Sequence, residues 1–142
     1  MLRNIDPILS PDLLYALRAM GHGDEIVLAD ANFPAESAKP RTIRADGSDA
    51  SQVLRAVMSV MPLDTFVSDP ANCMQVVGKP DEVPDAVHDF QSIINELGDA
   101  PANIKLIERF AFYERADTAY AVVQTGERRL YGNIILTKGV IS

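Results

Sequence analysis

This chain alternates between amphipathic helical segments and short apolar runs, a pattern that few fold classes accommodate. Ser10 can cap a helix that begins at Pro11, and Gly21 can adopt the left-handed conformation that ends it. The apolar run over residues 26–29 follows, with the length and composition of a strand buried on both faces. The order of these elements predicts an α/β fold.

Two further helices have equally clear ends. Asp49 and Gln52 resemble a capping box ahead of an amphipathic segment that Pro62 stops, while Pro84 opens a helix that Gly98 closes. The other predicted elements are a short helix over 110–116 and strands over 42–44, 65–67, 74–77, 104–107, 119–125 and 133–138. Because the last two strands are too close for a helical crossover, we expect them to run antiparallel. The prediction is a single domain, 1–142, with a mixed sheet flanked by helices.

The charge and the cysteine content limit which classes of partner and which cellular compartment we expect for this protein. The net charge of −7 repels nucleic acid and anionic membranes, so we expect neither as a partner. The single cysteine, Cys73, excludes an internal disulfide and is expected to be buried. No apolar stretch approaches the ~20 residues that span a bilayer, and the first residues lack the apolar region of a signal peptide. These features predict a cytoplasmic protein.

His22 is the first candidate for chemistry. It lies between Gly21 and Gly23, which leave open space for a ligand to approach the imidazole. Imidazole is the side chain that gains and loses a proton near neutral pH, so His22 is a candidate proton donor or acceptor. The alternative is a helix end in which His22 hydrogen-bonds its own turn.

Asp30 and Arg109 are candidate binding residues. Asp30 follows the apolar run, where α/β proteins usually gather ligand groups, although an Asx turn into the next loop explains it equally well. Arg109 opens the segment 109–115, which mixes aromatic residues with two arginines. A guanidinium can clamp a hydroxyl-rich or anionic ligand, whereas aromatic residues by themselves more often belong to a core.

Tyr131, Gly132 and Asn133 form the last candidate group, just before the final strand. Gly132 permits close approach of the backbone to a ligand, and the other two supply a hydroxyl and an amide. A hairpin turn is the alternative, because Gly and Asn also favour turns. The chain has no glycine-rich phosphate loop, no dinucleotide fingerprint and no zinc-type spacing of Cys and His. We therefore expect no cofactor and no metal.

Taken together, these segments resemble the RbsD/FucU family of sugar mutarotases. The resemblance rests on residues 20–26, 30–35, 43–47, 109–116, 125–128 and 131–136. It spans nearly the whole chain and is weakest over 63–103. The segment 109–115 points to the fucose branch of the family rather than the ribose pyranase branch.

The resemblance assigns roles to the candidate residues. It makes His22 the proton donor, places Asp30 and Arg109 at substrate-binding positions, and gives Tyr131, Gly132 and Asn133 the sugar-binding motif near the C-terminus. It also implies a homo-oligomeric ring, typically a decamer, with the pocket near a subunit boundary. The expected partners are thus a monosaccharide and further copies of the chain.

The implied activity is that of an isomerase, an L-fucose mutarotase that interconverts α and β anomers by opening and closing the pyranose ring. One alternative is a D-ribose pyranase, which interconverts pyranose and furanose forms. The other is a non-catalytic sugar-binding protein that uses the same pocket without turnover.

Overall fold

The structure, a computed structural model, describes all 142 residues and contains a six-stranded mixed sheet with helices on both faces. The elements are α1 Pro11–Ala19, β1 Glu25–Ala29, β2 Arg41–Ala45, α2 Ala50–Met58, β3 Ala71–Met74, α3 Asp85–Leu97, β4 Lys105–Ile107, α4 Arg109–Ala116, β5 Ala121–Thr125 and β6 Ile134–Thr137, with one 3-10 turn at Ala35–Ser37. The predicted α/β class with a mixed sheet is confirmed. None of the helices has the length and apolar character needed to cross a membrane.

The strand order decides where side chains meet. The sheet runs β2-β5-β1-β6-β3-β4, and β6 alone runs opposite to the other five strands. We call the end marked by Ala29, Met74, Ile107 and Thr125 the carboxyl end of the sheet, and the end marked by Glu25, Ala71, Lys105 and Ala121 the amino end. As expected, β5 and β6 run antiparallel, but β1 lies between them. The connection from β5 to β6 is therefore not a hairpin.

The two faces of the sheet carry unequal cores. On one face α1, α2 and α3 pack against inward side chains such as Ile26 and Leu28, in a cluster of 27 buried residues. On the other, α4 and the 3-10 turn cover Val27 and Ala29 in a cluster of 10. The alternation along β1 is the period-two pattern of a strand buried on both faces. The smaller cluster places α4, and with it Arg109, against the second face.

Most helix ends form as the sequence predicts. The Ser10 side chain accepts a hydrogen bond from Leu13 N at 3.2 Å, and the capping box of Asp49 and Gln52 is present. At the end of α3 the Gly98 N–H bonds Ile94 O at 2.8 Å. These contacts satisfy backbone groups that helix ends leave unpaired.

The end of α1 differs from the prediction. The helix ends at Ala19 with Met20 as its C-cap, and the left-handed glycine of the following turn is Gly23 (φ +85°) rather than Gly21. Lys138 Nζ donates instead to the carbonyls of Leu17 and Met20, at 2.7 and 2.5 Å. A lysine more than a hundred residues away therefore supplies the cap that the sequence pattern assigned to a local glycine.

Two strand predictions in the middle of the chain are wrong. Residues 65–67 form an exposed bend, with Phe66 73% exposed, because the Asp64 side chain accepts from Phe66 N at 3.0 Å and turns the chain. The strand predicted at 74–77 lies earlier, as β3. Its core-facing Ala71 and Cys73 alternate with Asn72, a polar residue that hides the apolar signal.

Candidate functional site

Asp30 and Asn133 meet at the carboxyl end of the sheet, 103 residues apart in the chain. Because β6 runs antiparallel to β1, its first residues lie beside the last residues of β1. The Asp30 N–H donates to Asn133 Oδ1 at 2.7 Å, and Asn133 Nδ2 donates to Asp30 Oδ2 at 3.0 Å. Asn32 N also donates to Asp30 Oδ1 at 2.9 Å, so the Asx turn considered for Asp30 is present.

Burial changes the acid–base character of Asp30, which is 6% exposed. Desolvation raises the pKa of Asp30 above its usual value, and the nearby Glu127 carboxylate adds to this effect. Hydrogen bonds from Asn32, Asn133 and Phe33 oppose the rise without cancelling it. Burial therefore favours the protonated form of Asp30 more than exposure to water would.

Tyr131 and Gly132 connect this pair to the turn after β5. Tyr131 has a φ of 61°, a backbone conformation that costs a non-glycine residue on the order of 1 kcal/mol or more and that concentrates at functional sites. Its hydroxyl accepts a hydrogen bond from Val77 N at 3.2 Å. At Gly132 an added Cβ would lie 2.6 Å from Glu127 Cγ. The turn therefore needs both an unusual backbone and a residue without a side chain.

Glu127 is the residue that holds this turn in place, and sequence reasoning missed it. Its carboxylate is buried and accepts from Arg129 Nε and Nη2, both at 3.0 Å, and from Ala50 N at 3.3 Å. The hydrogen bonds from Arg129 lower the pKa of Glu127 despite its burial. Its backbone carbonyl also accepts from Ala31 N at 2.8 Å. Glu127 thus ties the Tyr131–Asn133 turn to the loop that carries Asp30.

A Gly132→Ala variant should lose ~1–3 kcal/mol of folding free energy, because that is the typical cost of overpacking at a tight position. The Glu127 side chain cannot move aside cheaply, since several hydrogen bonds hold it. Urea denaturation measures the effect. Gly47→Ala is the matched control, because no atom lies within 4 Å of a Cβ added there. Equal stability of the two variants would contradict the close fit at Gly132.

Arg109 lies at the same end of the sheet, as the first residue of α4 directly after β4. Its Nε is buried with no hydrogen-bond partner, and its guanidinium carbon lies 4.6 Å from the centre of the Phe110 ring. An unsatisfied buried donor is costly unless a ligand or water completes it. The aromatic residues of the segment 109–115 differ in burial. Phe112 is fully buried and belongs to the core, whereas Phe110 is exposed.

His22 lies at the opposite, amino end of the sheet. Its Nε2 is 3.1 Å from Asp64 Oδ1, and the Phe66 ring packs 5.2 Å away, centre to centre. The local turn is closed by Asp24, whose Oδ2 accepts from Gly21 N at 2.7 Å. The alternative in which His22 bonds its own turn is therefore wrong, and the imidazole is anchored to a residue 42 positions away.

Asp64 is the second residue of the candidate site that sequence reasoning missed. Burial alone would raise the pKa of Asp64, but hydrogen bonds from Phe66 N and from His22 outweigh it, and the pKa lies below its usual value. The end of β6 positions both partners, since Asp64 N donates to Thr137 O at 3.0 Å and Gly23 N donates to Lys138 O at 2.9 Å. Asp64 lies in the stretch 63–103, where the family resemblance is weakest, and no neighbouring residue predicts its pairing with His22.

The six predicted site residues thus divide between the two ends of the sheet. Asp30, Arg109, Tyr131, Gly132 and Asn133 lie at the carboxyl end, and His22 lies at the amino end. The five residues of β1 that separate His22 from Asp30 span about 13 Å at the usual rise of a strand. One chain therefore carries His22 and the other five residues at opposite ends of β1.

A comparison with known proteins decides the family. Residues 3–141 match the model of the RbsD / FucU transport protein family. The protein belongs to the RbsD/FucU family. It is 51% identical to human fucose mutarotase over 147 residues, covering 99% of this chain and 95% of that protein.

Solved structures show how closely this RbsD/FucU member keeps the fold. The crystal structure of the fucose mutarotase from Streptococcus pneumoniae in complex with L-fucose is 44% identical, with a TM-score of 0.92 over 99% of this chain and 100% of that one. The structure of Bacillus subtilis RbsD complexed with D-ribose aligns over 100% of both chains, with a TM-score of 0.75 and 20% identity. The second likeness shows a shared fold alone.

Other reactive side chains of this family member lie elsewhere. Burial raises the pKa of the Cys73 thiol well above its usual value, as expected for an inert core cysteine. His88, the second histidine, is exposed on α3. No three or more His, Cys, Asp or Glu side chains are grouped so as to hold a metal ion.

Proposed function

We propose that the protein is an isomerase that interconverts the α and β anomers of free L-fucose. The observation that carries this proposal is the group at the carboxyl end of the sheet. There a buried carboxylate and amide bond each other beside a turn with a left-handed tyrosine. The substrate is inferred from relatives named fucose mutarotase, which are 44–51% identical to this protein over nearly the whole chain.

The side chains present suit ring opening and closing. Opening a pyranose requires a proton at the ring oxygen and loss of one from the anomeric hydroxyl, with no transfer of electrons. His22 supplies the ring-oxygen proton as a general acid. Asp30 accepts hydrogen bonds from sugar hydroxyls, Arg109 donates to them and Asn133 does both. The second proton passes to water, to Tyr131 or to a carboxylate.

We further propose that each working site joins two chains. His22 of one chain completes the group of Asp30, Arg109, Tyr131, Gly132 and Asn133 in the next, because one chain holds them at opposite ends of its sheet. Repeating such a head-to-tail contact closes a ring, and the resemblance supports a decamer as the assembly that we propose. The lone buried cysteine agrees with a reduced cytoplasmic setting.

Exposed apolar side chains at both half-sites support this contact. Phe66 packs beside His22 and is 73% exposed, and Val67 follows it. At the other end Phe110 and Leu130 are exposed beside Arg109 and Tyr131. Large exposed apolar side chains flanking a polar site are typical of surfaces that another chain covers.

Asp30→Asn and Arg109→Met should each weaken L-fucose binding by ~1.5–3 kcal/mol, the usual contribution of a hydrogen bond to a charged group. Titration calorimetry of the folded variants gives the affinities. Arg55→Met serves as the control, because Arg55 pairs with Glu96 on an exposed surface between α2 and α3. Wild-type affinity in Asp30→Asn or in Arg109→Met would remove that residue from the site.

Saturation-transfer NMR with L-fucose and D-ribose side by side tests the activity. We expect α/β exchange of L-fucose to rise in proportion to protein concentration, and to exceed exchange between the pyranose and furanose forms of D-ribose. Binding of L-fucose without faster exchange would make the protein a sugar-binding module. Faster conversion of D-ribose would make it a pyranase.

A further inference from the structure

We infer that Arg129 is a positioning residue, which sets the affinity of the protein for sugar by holding the turn 131–133 in place through Glu127. This inference rests on the proposed function, because it concerns the proposed sugar-binding group at the carboxyl end of the sheet. Its basis is a set of hydrogen bonds in which one guanidinium is shared between a buried acid, α2 and α3.

Arg129 closes the chain around Glu127. Its guanidinium donates from Nε and Nη2 to the two carboxylate oxygens of Glu127, both at 3.0 Å, and its backbone N–H donates to Glu127 Oε1 at 2.9 Å. Two parallel bonds from a planar guanidinium fix the orientation of a carboxylate as well as compensating its charge. The buried Glu127 side chain is therefore held in one orientation.

The position of the Glu127 side chain decides where the following backbone lies. A Cβ added at Gly132 would lie 2.6 Å from Glu127 Cγ, so the Gly132 backbone packs directly against this side chain. Tyr131, just before it, has the left-handed φ of 61°, and Asn133, just after it, bonds Asp30. A shift of Glu127 would thus move the turn relative to Asp30.

Two helices anchor the pair of Arg129 and Glu127. Arg129 Nη2 donates to Ser51 Oγ in the first turn of α2 at 3.2 Å, and Arg129 Nη1 donates to Asp89 on α3. Ala50 N, at the start of α2, donates to Glu127 Oε2 at 3.3 Å. Because both helices pack on the larger core, they give the pair a rigid support.

The hydrogen bonds of Arg129 leave it little capacity for a direct contact with sugar. Its four side-chain hydrogen bonds engage nearly all the N–H groups that a guanidinium offers. Arg109 differs, because its buried Nε has no partner and remains able to donate to a ligand. Arg129 therefore acts on the sugar through Glu127 rather than by touching it.

The first test is the Arg129→Met variant. We expect it to bind L-fucose roughly tenfold to a hundredfold more weakly, because a displacement of about 1 Å at a site can have effects of that size. The exchange rate at saturating L-fucose should fall by a smaller factor, since the displaced groups bind the sugar and the proposed proton donor lies at the other end of the sheet. Arg128→Met is the matched control, because Arg128 is exposed in the same segment and carries the same charge.

Two further variants separate positioning from charge pairing. Arg129→Lys keeps a positive charge beside Glu127 but cannot form the two parallel bonds, so we expect its affinity to stay within about threefold of that of Arg129→Met. In a Glu127→Gln background, Arg129→Met should weaken binding less than about twofold, because the residue through which Arg129 acts is already changed.

Hydrogen exchange of the sugar-free protein reports on the turn without any ligand. The Ala31 N–H donates to Glu127 O at 2.8 Å, and the Asp30 N–H donates to Asn133 Oδ1 at 2.7 Å. In Arg129→Met both amides should exchange at least about tenfold faster, a larger change than in the amides of α1, because the opening is local.

Either of two results with folded Arg129→Met would overturn the inference, namely wild-type affinity for L-fucose or wild-type exchange of the Asp30 and Ala31 amides. Arg129→Lys with wild-type affinity would also overturn it, since charge alone would then suffice, and this variant decides should Arg129→Met fail to fold. A wild type that binds no L-fucose would refute the proposed function, whereas faster exchange of the two amides in Arg129→Met would still support the hold of Arg129 on the turn.

Discussion

A His22→Gln variant should bind L-fucose as the wild type does and exchange its anomers at least about 100-fold more slowly, because general acid–base catalysis contributes 10²–10⁴-fold. Glutamine keeps an N–H that can donate to Asp64 but cannot deliver a proton to a ring oxygen near neutral pH. Saturation transfer at several protein concentrations gives the rate, and calorimetry gives the affinity.

The fold should survive this substitution for structural reasons. His22 is exposed in the turn before β1 and contributes to neither core cluster. His88→Gln on α3 is the control, since it removes the other histidine without touching the site. A folded His22→Gln protein that exchanges L-fucose at the wild-type rate would show that His22 is not the proton donor.

Local signals explain why so much of the fold is predictable from the sequence. The ends of α2 and α3 depend on residues three or four positions apart, such as Asp49 with Gln52 and Gly98 with Ile94. The continuous apolar runs of β1 and β6 reflect burial on both faces, which the composition of the run records directly. Both kinds of information lie within a few residues of the element they define.

The errors arise where distant contacts override local preference. Asp64 turns the chain and leaves the β-prone Phe66 and Val67 exposed, and no neighbouring residue announces that turn. The cap of α1 comes from Lys138, at the other end of the chain. Strand order belongs to the same class, because the insertion of β1 between β5 and β6 depends on pairing across the whole sheet.

The candidate site shows the same division. Residue type and position predicted His22, Asp30 and Asn133 as candidates, whereas Asp64 and Glu127 join the candidate site only through contacts that span 42 and 77 residues. Both missed residues are buried acids that hold another group in place. The sequence also left open whether one chain or two chains form the site. Because His22 and Asp30 lie at opposite ends of β1, a site formed by two chains is favoured.

The second large effect is expected when inactive variants are combined. His22→Gln lacks the proposed proton donor, and Tyr131→Ala lacks the tyrosine of the proposed sugar-binding group, so each alone should be inactive. If a site takes His22 from one chain and Tyr131 from the next, a mixed ring contains intact sites. Random pairing in an equal mixture should make about a quarter of the sites intact, since each of two neighbours must be of the required type with a probability of about one half.

A matched mixture controls for non-specific recovery. Asp30→Asn and Tyr131→Ala both alter the carboxyl end of the sheet, so mixing them cannot restore a site in which one chain supplies that whole end. This pair, like each variant reassembled alone, should show no more exchange than the single variants do.

The decisive measurement is therefore the L-fucose anomer exchange rate of an equal mixture of His22→Gln and Tyr131→Ala, dissociated and reassembled together. A site shared between chains predicts recovery of about a quarter of the wild-type rate, with no recovery in the Asp30→Asn control mixture. A mixture that stays as inactive as its separate components, while forming the same oligomer as the wild type, would contradict the shared site.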